Sequence, residues 1–169
     1  MAIFGNKEFN SIEDLFLEQI EDLYDAEHRM IRALSKMSEA AQSPELKRAL
    51  DKHLAETRRQ VDRLDAIFQQ MNKSPERETC EAMKGLIREG EEMLGAKGDV
   101  DVRDAAIIAA AQRVEHYEIA GYGTARALAQ HLGRTEAARL LQTTLDEEKG
   151  ADRALTEVAE SSVNVNAMR

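Results

Sequence analysis

Along five stretches of the chain apolar residues recur every three to four positions, and β-branched alternation is almost absent, so the pattern predicts helices and no sheet. The first helix is expected over about 10–41, capped by Asn10 or Ser11, with Glu13 and Asp14 in its opening turn. Its buried face reads Ile12, Phe16, Ile20, Leu23, Glu27, Met30, Ile31 and Leu34. Ser43-Pro44, a cap followed by proline, starts a second helix over about 44–72. That helix buries Leu46, Leu50, Leu54, Val61, Leu64, Ile67, Phe68 and Met71, with His53 inside the stripe and Glu56 and Gln60 on its flank. Lys73-Ser74-Pro75 breaks it, and a shorter helix over about 76–97, with Gly85 and Gly90 inside it, reads as a connector lying across a bundle. Two further helices follow over about 99–132 and 135–160, separated by Gly133-Arg134-Thr135. Residues 161–169 lack periodicity and read as a loose tail.

The connections at 42–43 and at 133–134 are so short that each flanking pair of helices must form an antiparallel hairpin. The expected architecture is a single all-α domain over residues 1–169, a four-helix bundle of two hairpins with an additional crossover helix. A chain of 169 residues with 43% hydrophobic content is enough for one core.

The stripes carry acids where apolar side chains belong. On the fourth helix Ile107, Ala111, Val114, Ile119, Tyr122, Ala125, Ala129 and Leu132 share one broad face, and Glu115 and Glu118 point along it. On the fifth, Leu141, Thr144, Leu145, Glu148, Asp152, Leu155 and Ala159 form the face. Register brings these acids together. Glu27 and Glu56, 29 residues apart, are centred just before the first turn, and Glu118 and Glu148, 30 apart, are centred on Gly133. Two similar hairpins joined by a connector thus bring Glu27, Glu56, Glu115, Glu118 and Glu148 to mid-bundle, with His53 one turn from Glu56.

Several uncompensated buried charges would exceed the roughly 5–15 kcal/mol of net stability of a whole domain. Arg58, Arg59, Arg113 and Arg153 point off their stripes, and Arg126 lies three turns beyond Glu115, so cationic side chains are scarce. Two divalent cations offset four or five carboxylates more completely than protons do, and carboxylate-rich pockets suit iron or manganese. The candidate ligands are Glu27, Glu56, Glu115, Glu118, Glu148 and His53. In the alternative, some acids rotate to solvent and the others share protons, with His53, Gln60 and the tyrosines as hydrogen-bond partners.

Composition narrows the class further. A net charge of -9 argues against a nucleic-acid partner, and no apolar run is long enough to span a membrane. The first residues show neither the basic nor the apolar region of a secretory leader, so a cytoplasmic location is expected. Cys80 is the single cysteine, which excludes an internal disulfide and a thiolate cluster, and it reads as a structural thiol. There is no Ser/His/Asp or Cys/His constellation and no glycine-rich phosphate loop.

Leu23-Tyr-Asp-Ala-Glu27, His53-Leu-Ala-Glu56-Thr57 with Gln60, Val114-Glu-His-Tyr-Glu-Ile-Ala-Gly-Tyr122 and Leu145-Asp-Glu-Glu-Lys149 occur in the order seen in the ferritin-like superfamily. Over residues 8–160 the chain most closely resembles the YciE/YciF family of bacterial stress proteins. The resemblance implies a ferritin-like bundle related to rubrerythrin-type di-iron proteins, a homodimer, and a role in stress response. In that pattern the single Glu of the first helix falls on Glu27, the Glu of the second on Glu56, the Glu-x-x-Glu of the third on Glu115 and Glu118, and the Glu of the fourth on Glu148. Both histidines of the pattern are missing, since Arg59 and Ala151 stand at their positions, and His53 or Asp152 is the candidate replacement. His116 points to the edge of its stripe, His28 and His131 have ordinary helix-surface or helix-end readings, and Tyr24 and Tyr122 are candidate hydrogen-bond partners of the acids. The implied chemistry is two-electron reduction of peroxide or dioxygen. The competing expectation is a metal-free helical dimer acting as a binding or structural module, and iron storage would require a large hollow oligomer.

Overall fold

The computed structural model describes residues 7–169, and among these there are helices and no strand. α1 spans Ile12–Ala40, α2 Pro44–Gln70, α3 Glu81–Leu94, α4 Val100–His131 and α5 Thr135–Val158. α5 continues without a break through a π-helical turn, Ala159–Val163, into a short α6, Asn164–Ala167. The starts are set by side-chain caps. Ser11 Oγ accepts the Asp14 N–H at 3.0 Å, Ser43 Oγ accepts that of Leu46 at 3.3 Å, and Asp99 accepts those of Asp101 and Val102. Gly133, at φ 68°, makes the left-handed turn between α4 and α5, where a Cβ would be strained.

Two contacts fix how the hairpins stack. The fully buried Asp104, near the start of α4, accepts the N–H groups of Gln42 and Ser43 and so joins that start to the α1–α2 turn. Arg134, at the α4–α5 turn, pairs with Glu13 at the start of α1. With the α1–α2 turn as the upper end, α2 therefore finishes at the bottom and α4 begins at the top. The chain between them has to climb the bundle.

α3 makes only the upper part of that climb. It begins beside Asp25 and Tyr117, and Gly90 packs against Met37 and Ala110 higher up. Residues 73–80, expected to include the first turn of this helix, are non-helical. Pro75 disfavours a helical residue before it, and extended chain covers about twice the height per residue that a helix does. The junction is held by Asp25, a buried carboxylate that accepts from Arg29 at 2.5 Å, Arg77 at 2.8 Å and the Cys80 N–H at 2.9 Å. Burial alone would push this carboxyl up, but Arg29, the Cys80 N–H and Arg77 together hold it below the usual range. Asp25→Ala strands these donors at the foot of α3, and urea unfolding is expected to show a loss of about 3 kcal/mol. A loss indistinguishable from zero would mean that α3 does not depend on this junction.

Cys80 itself caps α3. Its Sγ lies 3.3 Å from the Met83 N–H and 3.1 Å from the Tyr117 hydroxyl, and burial pushes the thiol up to about 11, so it is structural and unreactive at neutral pH. The C-terminal segment is not the loose tail that its pattern suggested. Val163 is buried against the upper core, and the π turn that carries it explains the missing periodicity, since an extra residue in one turn breaks the 3.6-residue repeat. Ile12, expected in the buried face of α1, is instead 51% exposed at the fraying end of that helix.

The apolar core is split. The upper cluster contains Met30, Leu34, Leu46, Leu50, Ile107 and Val114, and the lower contains Phe16, Ile20, Leu64, Phe68, Tyr122 and Leu141. Between them lies a layer of buried polar side chains contributed by α1, α2, α4 and α5. Gly121 lets α1 and α4 approach beside this layer, for a Cβ there would lie 2.9 Å from Leu23 Cδ2. No helix among the described residues is long and apolar enough to cross a membrane.

Candidate metal centre

The layer consists of Glu27 from α1, His53, Glu56, Thr57 and Gln60 from α2, Glu115 and Glu118 from α4, and Thr144 and Glu148 from α5. Glu27, Glu115 and Glu148 have no accessible surface. The apolar stripes put them there: each acid occupies a position whose neighbours one turn away on the same face are core residues, so the helix cannot turn it to solvent without exposing them.

His53 is the hub. Its Nε2 lies 3.2 Å from Glu115 Oε2 and 3.6 Å from Glu148 Oε2, and its Nδ1 lies 3.6 Å from Glu56 Oε2. One ligand atom from each of His53, Glu115, Glu118 and Glu148 falls within 4.8 Å of the other three. Of the six residues expected to hold metal, four thus converge on one point. The other two flank it. Glu27 receives the Tyr122 hydroxyl at 2.5 Å, and Glu56 sits at the rim, 3.4 Å from the exposed Lys52 ammonium.

The electrostatics are those of acids brought together without enough cations. Burial, aided by Glu115 and opposed by the Tyr122 hydrogen bond and by His53, pushes Glu27 up to about 8. Burial also raises Glu118 well above the carboxylate range, with Glu27 and Glu115 adding repulsion, and raises Glu148, with Glu118 adding to it. Burial works against a charged His53, but the Glu115 and Glu148 carboxylates outweigh it and its pKa rises well above the ordinary value. At the rim the neighbouring His53 imidazole holds Glu56 below its usual range, against burial and with help from Lys52.

Five buried carboxylate oxygens lack a hydrogen-bond donor: Glu27 Oε2, both oxygens of Glu115, Glu118 Oε1 and Glu148 Oε2. Two of these, on Glu115 and Glu148, lie within ion-pair distance of His53. Buried acceptors are normally satisfied, and so many in one place are what a cation requires. One imidazole and several carboxylates form a mixed nitrogen and oxygen donor set that can hold a divalent metal ion.

Other candidates lie outside. Asp152, a possible substitute ligand, instead accepts from Gln112 at 3.0 Å and faces the exposed His116 at 3.4 Å. Arg59 is exposed and Ala151 buried, so neither histidine position of the ferritin-like pattern faces the centre with a nitrogen. Tyr24 packs edge-on against His28 and Phe68, and the acid beside its hydroxyl is Asp65 rather than one of the layer, while His131 is exposed at the end of α4, its Nδ1 2.9 Å from the Ala127 carbonyl oxygen. Sequence reasoning missed Arg63 and Glu147. These form a bidentate pair at 2.6 and 2.8 Å just outside the layer, and Gln60 touches both Glu147 and Glu148. The only signal was that Gln60 and Arg63, three apart, share a face of α2, while Glu147 adjoins Glu148.

Comparison with known proteins gives a consistent picture. Residues 11–168 match the family model described as a domain of unknown function, DUF892. Protein YciF of Escherichia coli K12 is 46% identical over 158 residues, which cover 93% of this chain and 95% of that protein. The crystal structure of the E. coli stress protein YciF superimposes with a TM-score of 0.88 at 45% identity, over 92% of this chain and 99% of the other. YcfI of Rhodopseudomonas palustris gives a TM-score of 0.88 at 44% identity over the same shares. A protein of Xanthomonas campestris shares the fold at 22% identity, with a TM-score of 0.74 over 94% of this chain and 98% of the other. A helical bundle of this form, matched over nearly its whole length by the family model and by YciF, belongs to the DUF892 family.

Proposed function

We propose that this protein is a dinuclear metal protein of the bacterial stress response, holding iron or manganese in the mid-bundle carboxylate layer and acting as a homodimer. The observation that carries the metal reading is the convergence of His53, Glu115, Glu118 and Glu148 around buried oxygens that have no donor. Glu27 and Glu56 extend the layer to either side of that set and supply the further carboxylates that a second ion needs. The stress-response part rests on similarity to YciF, described as a stress protein.

Iron or manganese held there would supply redox chemistry suited to two-electron reduction of peroxide or dioxygen. The chain's own residues do the rest. His53 contributes the nitrogen ligand, and its Nδ1 faces Glu56, which orients the ring. Tyr122 fixes one oxygen of Glu27 and leaves the other free. The two apolar clusters keep bulk water from the layer above and below, and Glu56, the acid nearest solvent, marks the side from which an ion or a small oxidant enters.

A second reading is favoured by the donors already present. His53 as an imidazolium between Glu115 and Glu148, with the Tyr122 and Gln60 bonds, satisfies part of the layer without metal, as a structural module would. Metal analysis of protein isolated without chelators separates the two. About two equivalents of iron or manganese per chain, with peroxide consumption by the reduced metal-loaded protein, are expected from the first reading. Less than a tenth of an equivalent, and no melting shift on adding Mn(II) or Fe(II), would leave the structural module.

A further inference from the structure

We propose that Gln60, braced by the Arg63–Glu147 pair, is the positioning residue that presents Glu148 to the metal. The inference rests on the metal reading above and adds to it the device that orients one ligand. Gln60 is fully buried on α2, one turn from Glu56. Its side-chain nitrogen donates to Glu148 Oε1 and, at 3.2 Å, to Glu147 Oε2. Two carboxylate acceptors on the α5 side fix which end of the amide faces them, because only the nitrogen can donate.

Glu147 is in turn immobilised. Arg63 grips it with two parallel hydrogen bonds, at 2.6 and 2.8 Å, and also reaches Thr144 Oγ1 at 3.1 Å. Paired bonds of this kind set direction as well as energy. The result is a rigid series running inward, Arg63 to Glu147 to Gln60 to Glu148. Gln60 engages one oxygen of Glu148 only. The other, Oε2, has no hydrogen bond and lies 3.6 Å from Nε2 of His53, a member with Glu148 of the four-residue ligand group.

The chemistry of the last link is specific. A lysine or arginine at position 60 would hold Glu148 equally well but would neutralise it and compete with a metal cation. The neutral amide holds the carboxylate without cancelling its charge, while the arginine that braces the series is matched by Glu147 before it reaches the centre. The amide's stabilising contribution through its two donated bonds is offset in part. Its own Oε1 is buried without a donor, an arrangement that costs free energy and that an apolar side chain of similar size would avoid.

Mn(II) binding to the full chain, followed by the electron paramagnetic resonance signal of free Mn(II), tests the role. Gln60→Leu keeps the volume and removes the donor, and is expected to weaken Mn(II) binding 10–100-fold while far-UV circular dichroism and melting of the metal-free protein show a folded bundle. Arg63→Met serves as a second variant should Gln60→Leu fail to fold. Removing a positive charge near a cation site would by itself tighten binding, so weaker binding in Arg63→Met supports positioning, and binding as tight as wild type or tighter overturns it. Wild-type affinity in a folded Gln60→Leu overturns the role of Gln60 and leaves the metal reading standing. Binding of neither Mn(II) nor Fe(II) by the wild-type protein overturns both.

Discussion

Glu118→Gln raises the melting temperature of the metal-free protein and abolishes the further rise that Mn(II) or Fe(II) gives the wild type. Glu118 is 1% exposed, its Oε1 has no donor, and Glu27 and Glu115 add repulsion to the burial that already raises it. A glutamine of the same shape is neutral, and its nitrogen can donate to the neighbouring carboxylates. Relieving one such group is worth about 2 kcal/mol, or roughly 4–8 °C in a chain of this size. Metal at a hundred times its dissociation constant stabilises the wild type by about 2.7 kcal/mol, and the variant, having exchanged a charged ligand for an amide, loses most of that. Differential scanning calorimetry with and without Mn(II) reads both effects. A variant that melts below the wild type without metal would show that Glu118 is paired in the native state, against the electrostatics described.

The second large effect is a divergence with pH. Glu27, Glu118, Glu148 and His53 all bind protons more tightly in the folded chain than in the unfolded one. The stability they contribute is fully present below their unfolded values and is lost as pH rises through the folded ones, which for Glu27 means about 8. Glu56 and Asp25 act in the opposite sense, but their contribution is lost only as pH falls into the acid range and is complete by about pH 5. Between pH 5 and 9 the metal-free protein therefore loses stability, by several kcal/mol, since each tenfold displacement of a protonation equilibrium is worth about 1.4 kcal/mol. Metal requires the same groups deprotonated, so its affinity rises over that range. Melting curves with and without Mn(II) should move apart as pH rises. A metal-free melting temperature flat from pH 5 to 9 would refute the account of the layer as proton-holding.

Much of this site was legible in the chain. Stripes interrupted by Glu27, Glu115, Glu118 and Glu148 lie on helices that short turns force into hairpins, and register about a turn needs no coordinates. What escaped depends on side-chain reach and on breaks in periodicity. Asp152 shares a stripe with Glu148 one turn on, yet Gln112 draws it aside, which only packing between α4 and α5 decides. Arg63 and Glu147 lie just off their stripes, and their pairing across α2 and α5 depends on a relative rotation that no single-helix pattern contains. The start of α3 was lost because Asp25, 55 residues earlier, supplies the partner for the Cys80 N–H. The C-terminal turn was lost because a π-helical turn erases the period by which a helix is recognised.

The split core carries a mechanical consequence. Apolar contact runs continuously within each half of the bundle but is interrupted at the polar layer, and both α3 and the segment around Val163 pack on the upper half alone. Local opening that begins at the lower end therefore meets a natural boundary at mid-height, since few hydrophobic contacts couple it to the half above. Whatever occupies the layer, protons or metal, thus bears on how firmly the two halves are held together at mid-height, where the continuous helices are the other link.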